Sequence, residues 1–135
     1  MAKTVLYNGE SANAAQLILF NKNGLVSINA LGILNTIGRK TESSRCDIKI
    51  DSPIVSRIHG EIALASGRYF YRDLNSTNGT YVNNALLKST AENKNLALPL
   101  KDGDILCFDI KENGKSHSAC VYGLFAVCEK NTEWS

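Results

Sequence analysis

The sequence predicts an all-β domain, and three observations lead to that class. Turn-forming dipeptides recur along the chain: Asn-Gly occurs four times and Asp-Gly once, and these residues tolerate the positive φ angles of tight hairpin turns. Short apolar or alternating runs lie between the turns, as expected for strands. Only residues 84–95 have the Ala and Leu content of a helix, and because Pro99 and Gly103 close that stretch off we interpret it as a polar loop.

Seven segments have the pattern of short strands. In residues 46–50, three apolar side chains alternate with Asp47 and Lys49, and in residues 58–64 Ile58 begins an apolar face. The seven segments are residues 16–20, 46–50, 58–64, 68–74, 80–83, 105–110 and 118–129. The candidate hairpin turns begin at Asn8, Asn23, Ser66, Asn78, Asp102 and Asn113. Such spacing predicts a sandwich or a barrel, and the pattern alone leaves that choice open.

The composition is that of a globular protein with one domain. A length of 135 residues, 44% of them hydrophobic and 21% charged, excludes a disordered chain. The net charge of +2 is too small to indicate binding to nucleic acid or to a membrane surface. Apolar runs are too short for a transmembrane helix, and the first residues lack the apolar region of a signal peptide. We therefore expect a cytoplasmic protein.

The four cysteines predict neither a metal site nor a disulfide framework. None belongs to a Cys-x-x-Cys pair, and only two histidines are available to join them. All four lie in apolar, strand-like segments, where a free cysteine behaves as a small buried hydrophobic residue. We expect buried thiols, no metal and no cofactor. The cysteines are Cys46, Cys107, Cys120 and Cys128.

Three polar clusters fall in predicted loops, at residues 37–45, 51–60 and 73–80. The first two carry a net charge of +3 when the loop-edge acids are left aside, which exceeds the net charge of the whole chain. Positive charge beside hydroxyl and amide donors suits a small dianion. The contributing charges are Arg39, Lys40, Arg45 and Arg57 against Glu42.

Four motifs together resemble the forkhead-associated (FHA) domain family. They are Gly38-Arg39, Ser56-x-x-His59, the run at residues 75–80 and Leu100-x-x-Gly103-Asp104, in that order from about residue 17 to residue 126. The resemblance implies one domain over residues 1–135, with a core at about 17–128. It further implies a β-sandwich of about eleven strands with its binding loops at one end. Asn84 and Asp109 depart from the family pattern, at positions that affect turn geometry only.

The resemblance also implies a phosphothreonine site. Arg39 would pair with the phosphate, and Ser56 would donate its hydroxyl to a phosphate oxygen. Arg57 and Thr77 would add contacts to the phosphate, and Asn78 would bond the backbone of the bound peptide. Three further residues, matched to positions that shape the site, are Gly38, His59 and Gly79. Ile54 stands where the family reads a residue C-terminal to the phosphothreonine, which implies an aliphatic preference.

These residues predict a phosphothreonine-dependent module that recruits phosphorylated partners in Ser/Thr kinase signalling, as a monomer. The alternative is a protein-interaction or structural module of the same fold that needs no phosphate. A hydrolase using Ser56 and His59 is disfavoured because no Gly-x-Ser-x-Gly elbow is present, so we expect no enzymatic activity. Thr4 is a candidate phosphorylation site through which the chain would recognise itself.

Overall fold

The computed structural model describes residues 14–92, 94, 96–108 and 120–128. Within these residues the chain forms eleven β-strands and no helix, which confirms the all-β class. The strands are β1 (Ala14–Asn21), β2 (Gly24–Ala30), β3 (Leu34–Arg39), β4 (Ile48–Ile50), β5 (Gly60–Ala65), β6 (Arg68–Asp73), β7 (Thr80–Val82), β8 (Ala85–Leu87), β9 (Ala97–Pro99), β10 (Ile105–Cys107) and β11 (Tyr122–Cys128).

The strands form two sheets, so the fold is a sandwich, as the family resemblance implied. The first sheet has the order β9-β6-β5-β3-β4, and the second has the order β2-β1-β11-β10-β7-β8. All described pairings are antiparallel except that of β3 with β4. No described helix is long and apolar enough to cross a bilayer.

The core lies between the facing sides of the two sheets. Alternation directs every second residue inward, so that Leu17 and Leu19 of β1 are buried while their neighbours are partly exposed. Ile62 and Tyr71 contribute fully buried side chains from the first sheet, and Phe125 contributes one from the second. Each such side chain stabilises the folded state by about 1.5–3 kcal/mol. This core holds the loops at the ends of the sandwich in fixed positions.

Two hairpins have the positive φ angles of type I′ turns. Ser66 and Gly67, at φ 52° and 79°, join β5 to β6 as the sequence predicted. Asn83 and Asn84, at φ 50° and 74°, join β7 to β8. The assignment of residues 84–95 to a loop was therefore wrong at its start, because β8 pairs with β7 directly after the turn.

Other turn dipeptides do not form the hairpins that we expected. The β1–β2 hairpin is present, but Asn21 pairs with Gly24, so its turn residues are Lys22 and Asn23. Asp102-Gly103 forms a turn between β9 and β10, which belong to different sheets. Asn78-Gly79 lies in a longer connection. The dipeptides at residues 8–9 and 113–114 lie outside the described residues, as does Thr4.

Two burial predictions were also wrong. Ile58 is 61% exposed, because β5 begins only at Gly60 and the residue lies in the preceding loop. Cys128 is exposed at the end of β11, whereas Cys46, Cys107 and Cys120 are buried free thiols as predicted. Within the described residues, no group of three or more potential metal ligands comes together.

The strand order brings three loops to one end of the first sheet. Ile37, near the end of β3, pairs with Gly60 at the start of β5, and Gly60 pairs with Asp73 at the end of β6. Three loops therefore lie at the same end of the sheet: the loop after β3, the loop before β5 and the loop after β6. These are the three polar clusters identified in the sequence.

A candidate anion-binding site at one end of the sandwich

Arg39 is anchored to the loop before β5 by its backbone and its side chain. Its N–H donates to the carbonyl oxygen of Ser56 at 2.9 Å. Its Nη1 atom lies 3.4 Å from the carbonyl oxygens of Pro53 and Val55, which is long for an N–H donor. The guanidinium is half-buried. It therefore lies over this loop with donors available for stronger acceptors.

Ser56 and Thr77 join the loop before β5 to the loop after β6. The N–H of Thr77 donates to Oγ of Ser56 at 3.0 Å, and the two hydroxyl oxygens are 3.4 Å apart. Thr77 is exposed and Ser56 is half-buried. The hydroxyl groups of Ser56 and Thr77 therefore lie close to the backbone of Arg39 at this end of the sandwich.

The buried side chain of His59 supports the contact between these two loops from the interior of the domain. The side chain is fully buried, and its Nδ1 atom accepts a hydrogen bond from the N–H of Ser56 at 3.1 Å. Because Nδ1 is an acceptor, the ring proton lies on Nε2, which is 3.0 Å from the carbonyl oxygen of Gly79 and 3.1 Å from Oγ1 of Thr80. One imidazole therefore connects both loops.

The network below the site continues through a buried tyrosine. The hydroxyl of Tyr71 is 2.6 Å from Oγ1 of Thr80, which also faces the His59 ring. Burial raises the pKa of Tyr71 well above its ordinary value. The hydroxyl therefore stays protonated and available to this network.

Asp73 and Ser76 fix the shape of the loop after β6, and neither role was predicted from the sequence. The buried carboxylate of Asp73 accepts hydrogen bonds from the N–H groups of Ser76 at 3.2 Å and Ser89 at 2.8 Å, and it contacts the Ser76 hydroxyl. Oγ of Ser76 accepts the N–H of Gly79 at 2.9 Å. The signal available in the sequence was the Asp-x-x-Ser spacing at a strand end, where short polar side chains bond nearby backbone groups.

Two glycines occupy positions that no side chain would fit. A Cβ atom on Gly38 would lie 2.1 Å from the carbonyl oxygen of Arg57 and 2.6 Å from Sγ of Cys46. Gly79 has φ +78°, and a Cβ atom there would lie 2.7 Å from Leu86. Together with His59, they hold the loops close together.

Arg57 and Asn78 complete the set of predicted residues at this end. The Arg57 side chain is exposed, and its carbonyl oxygen accepts a hydrogen bond from the Cys46 thiol at 3.5 Å. Asn78 follows Thr77 directly and is half-buried, and none of the hydrogen bonds among the described residues uses its side chain. All the predicted site residues are therefore near one another.

The guanidinium groups of the proposed site are not paired with carboxylates within the described residues. The ion pair found within the described residues joins Arg72 of β6 to Glu61 of β5. Arg39 and Arg57 form no such pair in that part of the chain. A loop cluster with free guanidinium groups and hydroxyls is suited to bind an anion.

A β-sandwich with a cationic, hydroxyl-bearing loop cluster at one end is typical of a protein-binding module. The family comparison is specific: the model of the FHA domain matches residues 35–109, more than half of the chain. The chain belongs to the FHA domain family. This result confirms the resemblance found in the sequence.

Solved structures of FHA domains and a splicing factor resemble this fold. The yeast splicing factor Pml1 is 22% identical, with 90% of this chain and 85% of that chain covered and a TM-score of 0.73. An FHA domain solved in a structural and functional study of phosphothreonine-dependent FHA domain interactions is 25% identical. The match covers 84% of this chain and 98% of that chain, with a TM-score of 0.60. The FhaA FHA domain, solved with the intracellular domain of another protein, is 27% identical, with 82% and 98% coverage and a TM-score of 0.59. No curated protein matches the sequence.

Proposed function

We propose that this protein is a phosphothreonine-dependent binding module that recruits phosphorylated partners in Ser/Thr kinase signalling. Arg39 pairs with the phosphate, Ser56 and Thr77 donate to its oxygens, and Arg57 adds positive charge. Asn78 bonds the backbone of the bound peptide. Gly38, His59 and Gly79 keep the loops in the required positions.

The observation that carries the proposal is the contact between Ser56 and Thr77 beside the anchored Arg39. The Thr77 N–H already donates to Oγ of Ser56, and the serine proton has only the long contact to the Thr77 hydroxyl oxygen, at 3.4 Å, so that it can turn toward a guest oxygen. A phosphothreonine carries a charge of about −1.5 to −2 and three acceptor oxygens. A guanidinium and two hydroxyls at this spacing supply matching donors.

The expected affinity is micromolar. Each hydrogen bond to a charged group contributes about 1.5–3 kcal/mol. Three or four such bonds, less the free energy lost in ordering the peptide, correspond to a dissociation constant on the order of 1 μM. Binding of this strength is reversible on the timescale of signalling.

The hydrogen bonds of His59 favour a binding role over catalysis. Its Nδ1 atom accepts the backbone N–H of Ser56, and its Nε2 atom faces Gly79 and Thr80. Neither nitrogen is bonded to the Ser56 hydroxyl, as a general base would be in a nucleophile–base pair. We therefore propose that the protein is not an enzyme.

We further propose that the module acts as a monomer in the cytoplasm. The four free cysteines suit a reducing compartment. Light scattering after size-exclusion chromatography, with and without phosphopeptide, tests the oligomeric state. A stable dimer in either condition would contradict this part of the proposal.

The decisive experiment is titration with a library of phosphothreonine peptides by fluorescence anisotropy. Matched peptides carry phosphoserine, unmodified threonine or glutamate at the same position. We expect binding only to the phosphorylated peptides, with glutamate a poor substitute because it carries a single charge. Equal binding of unmodified threonine peptides would support the phosphate-independent alternative.

A further inference from the structure

A groove of about 620 Å³ lies beside the proposed phosphate site, within the size range of ligand pockets. Cys46 and the exposed Ile58 contribute apolar surface to it, and two arginines, Arg45 and Arg57, line it as well. Thr36 of β3 and the hydroxyl-bearing residues of the loop after β3 complete the wall. Ile54 does not line the groove. The family resemblance implies that Ile54 contacts a different part of the peptide, C-terminal to the phosphothreonine.

The groove shares Arg57 with the proposed phosphate site. Arg57, which lines it, directly follows Ser56, and Thr41, which also lines it, stands two residues after Arg39. Consecutive Cα atoms are about 3.8 Å apart, so the Cα atoms of Arg57 and Thr41 lie within roughly 4 Å and 8 Å of those of Ser56 and Arg39. An extended peptide advances about 3.3 Å per residue. A side chain about one to three positions from the phosphothreonine therefore reaches the groove.

The loop that carries Arg45 is held in place by local hydrogen bonds. The N–H of Ser44 donates to the carbonyl oxygen of Thr41 at 3.2 Å, and the N–H of Cys46 donates to Oγ of Ser44 at 3.2 Å. Asp47 then accepts the N–H of Thr36 at 2.9 Å and its hydroxyl at 3.1 Å. The backbone on both sides of Arg45 is thus fixed before any ligand arrives.

The charged residues that line the groove, Arg45 and Arg57, are both positive. Arg45 and Arg57 form no ion pair within the described residues. The nearest acids in sequence, Glu42 and Asp47, are not among the lining residues, and the Asp47 carboxylate is engaged by the N–H and the hydroxyl of Thr36, which does line the groove. Two cations without a lining carboxylate are complementary to an acidic side chain.

We propose that this groove selects an acidic residue next to the phosphothreonine, and that Arg45 is the residue that determines this specificity. The inference rests on the proposed function, because the phosphate contacts position the peptide along the groove. Arg57 contributes charge at both places, whereas Arg45 acts on the neighbouring side chain alone.

The experiment scans an alanine-based phosphothreonine peptide with glutamate, leucine or lysine at each flanking position in turn. With the wild-type protein we expect glutamate to strengthen binding about two- to fivefold at one or two positions, the range of an exposed ion pair. Arg45→Ala abolishes that gain and leaves the affinity for the all-alanine phosphopeptide within about twofold. Arg45→Glu transfers the preference to lysine. High salt weakens the gain, as expected for an exposed pair.

Arg68→Ala is the matched control. It removes the same charge at the start of β6, at the opposite end of the sheet from the site, and its side chain is exposed. We expect the control to keep the glutamate preference. A preference that persists in Arg45→Ala, a flat scan, or a stronger gain with leucine would overturn the inference.

The unphosphorylated all-alanine peptide separates this inference from the proposal beneath it. If phosphorylation gives no gain, both fail together. If phosphorylation strengthens binding while the glutamate scan is flat, only the acidic specificity fails.

Discussion

The N–H of Thr77 donates to Oγ of Ser56 at 3.0 Å, although 21 residues separate the two in the chain. The serine oxygen is therefore occupied as an acceptor, while its proton has only the Thr77 hydroxyl oxygen nearby, at 3.4 Å. A phosphate oxygen offers that proton a stronger, charged acceptor. The contact between the loops thus persists when an anion binds, and little reorganisation is needed.

Arg39→Ala should weaken phosphopeptide binding by about 2–3 kcal/mol, because it removes a charge-assisted hydrogen bond. Its own contacts with Pro53 and Val55 are long, at 3.4 Å, so the melting temperature should change little. Calorimetric titration and thermal unfolding measure the two effects. Lys40→Ala, which removes an exposed charge one residue away, is the control. Normal binding by Arg39→Ala would show that the phosphate binds elsewhere.

Gly38→Ala should destabilise the fold by about 1–3 kcal/mol, the usual effect of overpacking. The added Cβ would lie 2.1 Å from the Arg57 carbonyl oxygen, so the loop before β5 must move and phosphopeptide binding should weaken as well. Urea unfolding and peptide titration test both results. Gly32→Ala is the matched control, since a Cβ atom added there would lie 3.9 Å from Asn35 Oδ1, an ordinary van der Waals distance. Equal stability of the two variants would contradict the steric argument.

His59→Ala should lower the free energy of unfolding by about 3 kcal/mol, because it leaves buried backbone groups without partners. Urea denaturation measures the loss. Ser56→Ala is the informative comparison: it keeps the backbone N–H that bonds His59, so its stability should change by less than about 1 kcal/mol while binding falls. An unchanged unfolding midpoint for His59→Ala would argue against the structural role.

Tyr71 should make the fold sensitive to alkaline pH. Burial raises its pKa above the ordinary value of 10.0, so above about pH 10 the unfolded chain loses a proton that the folded chain keeps. Stability therefore falls as the pH rises from about 10, by up to about 1.4 kcal/mol per pH unit from this group. Tyr71→Phe should be less stable at neutral pH, but its stability should decline less steeply in alkali. Parallel curves of unfolding free energy against pH for the two proteins would refute this.

Phosphopeptide binding should strengthen as the pH rises through about 6, because the phosphate then gains its second negative charge. Anisotropy titrations across that range measure the effect, and circular dichroism checks that the fold is constant. A peptide with glutamate in place of phosphothreonine is the control, since its charge is already complete. A flat profile for the phosphopeptide would show that the dianion is not what the site reads.

Much of the architecture follows from local chemistry. The alternation in β1 and β4 and the Ser66-Gly67 turn were predicted because side-chain direction and positive φ depend on a few neighbouring residues. The same reasoning placed a hairpin at Asn78-Gly79, which was wrong. There, Asp73 and Ser76 take up the backbone hydrogen bonds of the loop instead.

The order and spacing of the motifs predicted more of the fold than the periodicity of apolar residues did. Periodicity left a sandwich and a barrel open, and the spaced motifs from Gly38 to Asp104 indicated the family and its sandwich. Burial near strand ends was less predictable. Ile58 is exposed because its strand begins two residues later, and Cys128 is exposed because its strand ends at that residue. Strand bounds depend on pairing with distant segments, which local pattern does not contain.

By itself, the sequence determined that the chain is all-β, that two of its loops together carry a net positive charge, and which family it belongs to. Only the tertiary structure decided that Ser56 and Thr77 touch, that one buried imidazole ties their loops together, and that Arg45 and Arg57 line a common groove. The physical reason is register. Pairing of β3 with β5 and of β5 with β6 brings residues far apart in the chain within hydrogen-bond distance, and that pairing is set by the packing of the whole core.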